Sequence, residues 1–291
     1  MSRILFTAAG CARCSIAKKF MQEIGSACEE HDVTGDGKER FGQFYRANRS
    51  AIFRGRDGIE FPVLAEDAAI RQGVAVVIGY LHAGARLDGF IGRSDLSKGW
   101  VGGLHVSGGD PSAADALAAV LGFLKKNGLK LQLATDGRNA SVLKALLEQG
   151  LGDRVIMDLK GPQALYSAMV GEAIDAGEIL RTMEVVTKFS EYRFETTVAP
   201  VRRQGGDPVA VSYLTPEEIE EAARWLKEVT GSHKQPYLLR PFDPQTCSDD
   251  GLKSVDRLPA NALFRYRSAA RKHQVLTESE KAPWWPSRAG D

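Results

Sequence analysis

Two cysteines with two residues between them, Cys11 and Cys14, stand in the stretch TAAGCARCSIAKKF at residues 7–20. Thiols at this spacing can do one of two kinds of chemistry: they exchange a disulfide with a partner, or they supply two soft ligands to a metal. A pair with no retained role is the third alternative. Disulfide exchange needs the thiolate, and a helix N-terminus lowers a cysteine pKa through its positive dipole end. Arg13, Lys18 and Lys19 add favourable charge. Cys11 would then be the exposed nucleophile and Cys14, one turn inside, the resolving thiol. A closed zinc site needs four ligands, and only Cys28, Cys247 and five scattered histidines could complete one, none at a second CxxC-like spacing.

A second set of chemistry-bearing residues recurs in loops that follow short apolar runs. These are Ser107-Gly-Gly-Asp110, Thr135-Asp-Gly-Arg-Asn139, Asp158-Leu-Lys160, Glu195-Thr-Thr-Val-Ala-Pro200 and Arg240-Pro-Phe242. Gly108 and Gly109 let backbone N–H groups approach a ligand closely, and Asp110 could hold an ammonium group. Gly-Gly-Asp-Pro is equally an ordinary turn ahead of a helix start.

The elements that must position these residues follow from periodicity. Ile4 to Thr7 reads as a strand and Ser15 to Ile24 as a helix starting at the second cysteine, with Ile16, Phe20, Met21 and Ile24 at helical spacing and Gly25 as its stop. Phe61 to Leu64 and Ala69 to Gly73 read as strands, Val74 to Ala83 as an apolar helix. From Gly102 onward strands at 104–106, 129–134, 154–157, 192–198 and 237–240 alternate with helices near 112–126, 139–149, 163–188 and 215–229. Thr215-Pro-Glu-Glu is a helix start with an N-cap, proline at the first helical position and acids at the dipole's positive end. Such alternation implies a parallel sheet with covering helices, whose strand ends carry ligand loops. Beyond Asp243, one helix around 265–272 precedes a tail that carries APWWPS.

Composition bounds the class. At 291 residues, 43% hydrophobic and 26% charged, the chain has room for two globular domains. Thirty-eight Lys and Arg against 37 Asp and Glu give +1, so no global field recruits nucleic acid or an anionic membrane. The most apolar window, residues 74–81, is far short of a membrane span, and the first residues carry no signal-like apolar region, so a cytoplasmic protein is expected.

Two resemblances sharpen these readings. CARCSIAKKFMQEIG, EEHDVTGDG and FPV, in that order, resemble a glutaredoxin or thioredoxin-like domain over about residues 1–83. That implies a cis peptide at Pro62 lying against the dithiol, and Cys11, Cys14 and Pro62 as the redox site. Phe61 stands where glutaredoxins usually have valine, and no Gly-Gly pair follows in 66–73. Farther on, VSGGDP, GLKLQLATDGRN, LLEQGLGDRVIMDLKGP, YRFETTVAPV and LTPEEIEEAARWLKE together resemble the radical S-adenosylmethionine (SAM) activating enzymes of glycyl radical proteins, of the anaerobic ribonucleotide reductase and pyruvate formate-lyase activase type. The match runs from about residue 100 to 245. It implies that Ser107, Gly108, Gly109 and Asp110 hold the methionyl amino group, that Asp136 and Asn139 lie on the third-strand loop, and that Asp158 and Lys160 contact SAM. Glu195 stands where the activases commonly carry arginine, which reverses the charge facing SAM. The family's 4Fe-4S cluster needs CxxxCxxC ahead of the glycine pair, and residues 60–107 contain no cysteine.

The expected architecture is therefore α/β: a glutaredoxin-like domain at 1–83, a linker at 84–101, a radical-SAM-like partial (β/α) barrel at 102–245, and a C-terminal helix and tail at 246–291. The expected function is a thiol–disulfide module fused to an activase-like domain without its cluster, keeping a pocket for SAM or for a partner. One alternative is a working activase whose iron–sulfur cluster sits on Cys11 and Cys14. Cys28 lies beyond a helix of about ten residues, about 15 Å long at 1.5 Å per residue, which leaves Cys247 as third ligand. Another is a non-catalytic interaction protein for a glycyl radical enzyme or a redox complex.

Overall fold

The computed structural model describes residues 3–55, 58–93, 99–171, 173–203, 210–247, 249–259 and 261–280. The chain is a mixed α/β protein. It divides into two compact units, Met1–Ala134 with Ala145–Asp153, and Thr135–Lys144 with Arg154–Asp291.

The first unit opens with β1 (Arg3–Thr7), α1 (Ala12–Glu23), β2 (Glu29–Asp32) and α2 (Lys38–Ala47). A minimal hairpin of β3 (Arg54–Gly55) and β4 (Gly58–Ile59) leads to β5 (Val63–Glu66), β6 (Ala69–Gln72) and α3 (Val74–Ala83). The sheet order is β2-β1-β5-β6, with β1 parallel to β2 and antiparallel to β5, and β5 antiparallel to β6. Alternation along the strands sends side chains to opposite faces. Leu5 and Leu64 meet Ala17, Met21 and Val77 from α1 and α3, while Phe6 and Val63 meet Phe41 from α2. Each of the Leu, Val, Met and Phe side chains, fully buried, contributes about 1.5–3 kcal/mol over exposure.

The same unit continues with β7 (Trp100–His105), α4 (Ala114–Lys126) and β8 (Lys130–Thr135), β7 and β8 running parallel. Residues 84–93 return against β7: Gly92 N–H donates to the Gly103 carbonyl and His105 N–H to the Phe90 carbonyl, each at 2.7 Å. Gly103 bulges there at φ 68, and a Cβ on it would come within 2.2 Å of the Arg93 carbonyl oxygen, so glycine is required. Phe20 of α1 meets Phe123 of α4 edge to face, centroids 4.9 Å apart.

α5 (Ala140–Glu148) begins among second-unit residues. That unit then holds β9 (Arg154–Asp158), α6 (Tyr166–Val170), α7 (Ala176–Val186), β10 (Tyr192–Val198), a hairpin of β11 (Pro200–Arg203) and β12 (Ala210–Tyr213), α8 (Pro216–Thr230), β13 (Tyr237–Pro241), α9 (Leu263–Ala270) and β14 (Thr277–Ser279). β9, β10, β13 and β14 are parallel neighbours in that order. Thr215 starts α8 with a complete capping box to Glu218.

Three expectations are corrected. α1 begins at Ala12, after the first cysteine rather than at the second, because the Cys11 sulfur caps it. The helix expected over 163–188 is two, since Gly171 ends α6 in the left-handed region at φ 86 and Asp175 caps a new start. β14 follows α9 where only a tail was expected; the APWWPS segment lies outside the described residues. Among the described residues no helix is long and apolar enough to cross a membrane.

Candidate functional site

The junction of β1 and α1 builds the first site. Gly10 turns the chain at φ 69, and Cys11 then caps α1, its Sγ accepting from the Cys14 N–H at 3.1 Å and its carbonyl from the Ser15 N–H at 3.1 Å. Cys11 and Cys14 are joined as a disulfide, with Cα atoms 5.3 Å apart. Cys14 is 2% exposed, whereas Cys11 is only half-buried. The Phe61–Pro62 peptide is cis, and Cys11 Sγ lies 3.9 Å from the Phe61 carbonyl oxygen. The outer sulfur is thus the one a partner can reach, and the inner one is shielded by the core.

The three cations expected to favour a thiolate are each engaged. Arg13 pairs with Glu60 and also donates to the Trp100 carbonyl at 2.7 Å. Lys18 donates to Glu30 at 2.8 Å, a bond that holds the Glu30 carboxyl below its ordinary range, and Lys19 donates to Asn127 at 2.9 Å. Glu60 also abuts the start of α3: a Cβ built on Gly73, the residue capping that helix, would lie 3.2 Å from Glu60 Oε2. Neither Glu60 nor Trp100 stood out in the sequence; an acid two residues before Pro62 was the only signal.

The other cysteines do not join this site. Cys28 Sγ lies 3.9 Å from Met21 Sδ, and burial, then the Glu30 carboxylate, push its thiol up. Cys28 and Cys247 are free. Among the described residues no group of three or more His, Cys, Asp or Glu is placed to hold a metal ion. A 4Fe-4S cluster takes its iron ligands from several thiolates, and here the sulfurs of the one close pair are bonded to each other. These residues do not fit that cluster.

The loop residues singled out in the sequence fall in both units. In the first, Asp110 accepts from the Ser112 N–H at 2.9 Å and caps the turn leading into α4; that backbone bond holds its carboxyl below the ordinary range. Gly108 and Gly109 make a close approach, but to the chain itself. A Cβ on Gly108 would sit 2.6 Å from the Gly89 carbonyl oxygen, and one on Gly109 would sit 2.2 Å from the Phe90 ring. Ser107 belongs to the same short 3-10 turn.

In the second unit, the Asp136 carboxylate forks onto Arg138 at 3.0 and 2.6 Å. The Tyr166 hydroxyl donates to the Asp136 carbonyl at 2.6 Å, and burial raises that phenol's pKa. Asn139 adopts φ 59 and its carbonyl accepts the Leu143 N–H at 3.0 Å, starting α5. Asp158 pairs with Lys160. Glu195, 6% exposed, takes Arg193 and Arg240 together, so the reversed charge expected at this position is offset by two guanidinium groups. A ligand at these strand ends would meet ion pairs rather than bare carboxylates.

No family model matches the chain, and no curated protein matches it. Among solved structures, the crystal structure of an endo-1,4-beta-mannanase from Eisenia fetida is similar at 11% identity, covering 69% of this chain and 73% of that one, with a TM-score of 0.24, too low to inform fold or function.

Proposed function

We propose that the chain is a thiol–disulfide oxidoreductase of the thioredoxin-like type, joined to a partial (β/α) barrel of the radical SAM type that lacks the cluster and binds a SAM-like ligand. The observation that carries the redox reading is the Cys11–Cys14 disulfide at the N-terminus of α1, its outer sulfur against the Phe61 carbonyl ahead of a cis proline. The sheet order β2-β1-β5-β6, with helices on both faces, supports it further.

The exchange balances without a cofactor. In the reducing direction the Cys11 thiolate attacks one sulfur of a partner disulfide; a Cys11–partner bond forms, the partner's S–S bond breaks, and one partner thiolate leaves. The Cys14 thiolate then attacks Cys11 Sγ, forming the intramolecular disulfide and releasing the second partner thiolate, which takes up the remaining proton. Two electrons pass from the dithiol to the partner. Burial of Cys14 keeps the resolving sulfur from outside disulfides while leaving it one helical turn from Cys11. The test is a redox titration in glutathione buffers with Cys11 and Cys14 followed by mass spectrometry. A single two-electron midpoint that vanishes in the C11S/C14S variant is expected; no midpoint in the wild type would sink the reading.

The SAM-like ligand is supported by the acids Asp136 and Asp158, which with Lys160 follow or end parallel strands, where α/β proteins bind ligands, whereas Glu195 lies in the middle of β10. Equilibrium dialysis with radiolabelled SAM should show saturable binding that weakens roughly tenfold in the D158N variant, a loss of one charge-assisted contact. Equal retention by wild type and variant, or none by either, would remove the ligand from the proposal.

A further inference from the structure

The pairing of Arg13 with Glu60 joins, through opposite charges, the helix that carries the dithiol and the segment whose Phe61 carbonyl lies against Cys11 Sγ. Arg13 sits between the cysteines in sequence, at the second position of α1. Glu60 directly precedes Phe61, whose carbonyl oxygen lies 3.9 Å from Cys11 Sγ. Both side chains are mostly buried, 18% and 24% exposed, so solvent screens them less than a surface pair. The guanidinium is held by the Trp100 carbonyl as well, and the carboxylate lies against Gly73 at the start of α3, so neither group is free to swing away.

Resting on the redox reading, we propose that Glu60 is a positioning residue that sets the potential of the Cys11–Cys14 couple, by neutralising Arg13, a cation that would otherwise stabilise the Cys11 thiolate. The disulfide carries no charge, whereas the reduced form carries a thiolate at Cys11. A nearby positive charge therefore favours the reduced form, and a nearby negative charge the disulfide. With Arg13 and Glu60 paired, the two effects cancel to first order. The other charged groups around this junction are held elsewhere: Lys18 by Glu30, Lys19 by Asn127, and Asp32, on the strand beside β1, by the hydroxyl and N–H of Thr34. They stay constant when the pair is altered.

The arithmetic gives opposite signs for the two partners. E60Q leaves Arg13 uncompensated and should raise the equilibrium constant for reduction by glutathione roughly threefold or more. R13Q leaves Glu60 uncompensated and should lower it by a similar factor. R13K keeps the cation and should stay within about twofold of wild type, and the double variant R13Q/E60Q should return toward it.

The full-length protein and these variants are equilibrated in glutathione buffers of graded ratio, quenched with acid, and the reduced fraction of the Cys11–Cys14 peptide is read by mass spectrometry. Far-UV circular dichroism on each sample confirms that it is folded. Opposite shifts for E60Q and R13Q that shrink in about 1 M salt, where the screening length falls to about 3 Å, support the proposal. Shifts of the same sign, an R13K shift as large as that of R13Q, or constants equal to wild type in E60Q and R13Q would overturn it while leaving the redox reading intact. A wild type with no measurable couple would overturn the redox reading itself.

Discussion

Gly109 shows how far a single residue's role can be read before its neighbours are known. The Gly-Gly pair in SGGDP announces a close approach, and the ligand reading assigns that approach to an amino group. In the folded chain the space next to Gly109 is taken by the Phe90 ring, which is fully buried and fixed through its carbonyl to the His105 N–H. A methyl group there must displace the ring. G109A should therefore destabilise the protein by about 1–3 kcal/mol, the usual cost of overpacking, with a lower urea midpoint and no change in m-value. F90L in the same chain should recover part of the loss. Unaltered stability in G109A would mean that the glycine is kept for something other than packing against Phe90. Nothing in the sequence around 107–110 names Phe90, because the two segments meet only through the return of residues 84–93 along β7.

At the scale of elements, local signals were legible where the chain itself supplies the partner. Thr215-Pro-Glu-Glu predicts the start of α8, and every component of the capping box lies within four residues. β10 and α3 likewise coincide with their apolar runs at 192–198 and 74–83. Boundaries set by less usual partners were missed. A cysteine sulfur capping α1 is not a standard N-cap, so periodicity alone starts that helix at the second cysteine where the chain starts it at Ala12. The stop at Gly171 was hidden inside a stretch, 163–188, whose composition suits a continuous helix, and only the left-handed φ reveals it. β14 is three residues long and has no alternation of its own; it exists by pairing with β13. In the candidate site the same rule holds. Cys11 and Cys14 are legible from their spacing and Pro62 from the resemblance to thioredoxin-like domains, whereas Glu60 becomes visible only where the loop ahead of Pro62 brings it to Arg13.

For the molecule as a whole, the redox reading requires that the disulfide be dispensable for folding, since a couple that unfolds on reduction could not cycle. The loop it closes holds only four residues, and the chain-entropy relation then gives it about 2 kcal/mol of stabilisation. The first unit's sheet draws instead on two apolar clusters, one of which buries Leu5, Ala17, Met21, Leu64 and Val77 and the other Phe6, Phe41 and Val63. Their combined burial far exceeds the contribution of so short a staple. Reduction with dithiothreitol should therefore leave the far-UV spectrum unchanged and lower the Tm by only a few degrees, as about 2 kcal/mol does for a chain of this size. Hydrogen exchange should quicken at the first turn of α1, where the Cys11 cap loosens, while the central strands β1 and β5 keep their protection. Loss of protection in β1 and β5 on reduction would make the bond a structural staple, and the exchange chemistry proposed for Cys11 would then lack a folded reduced state from which to act.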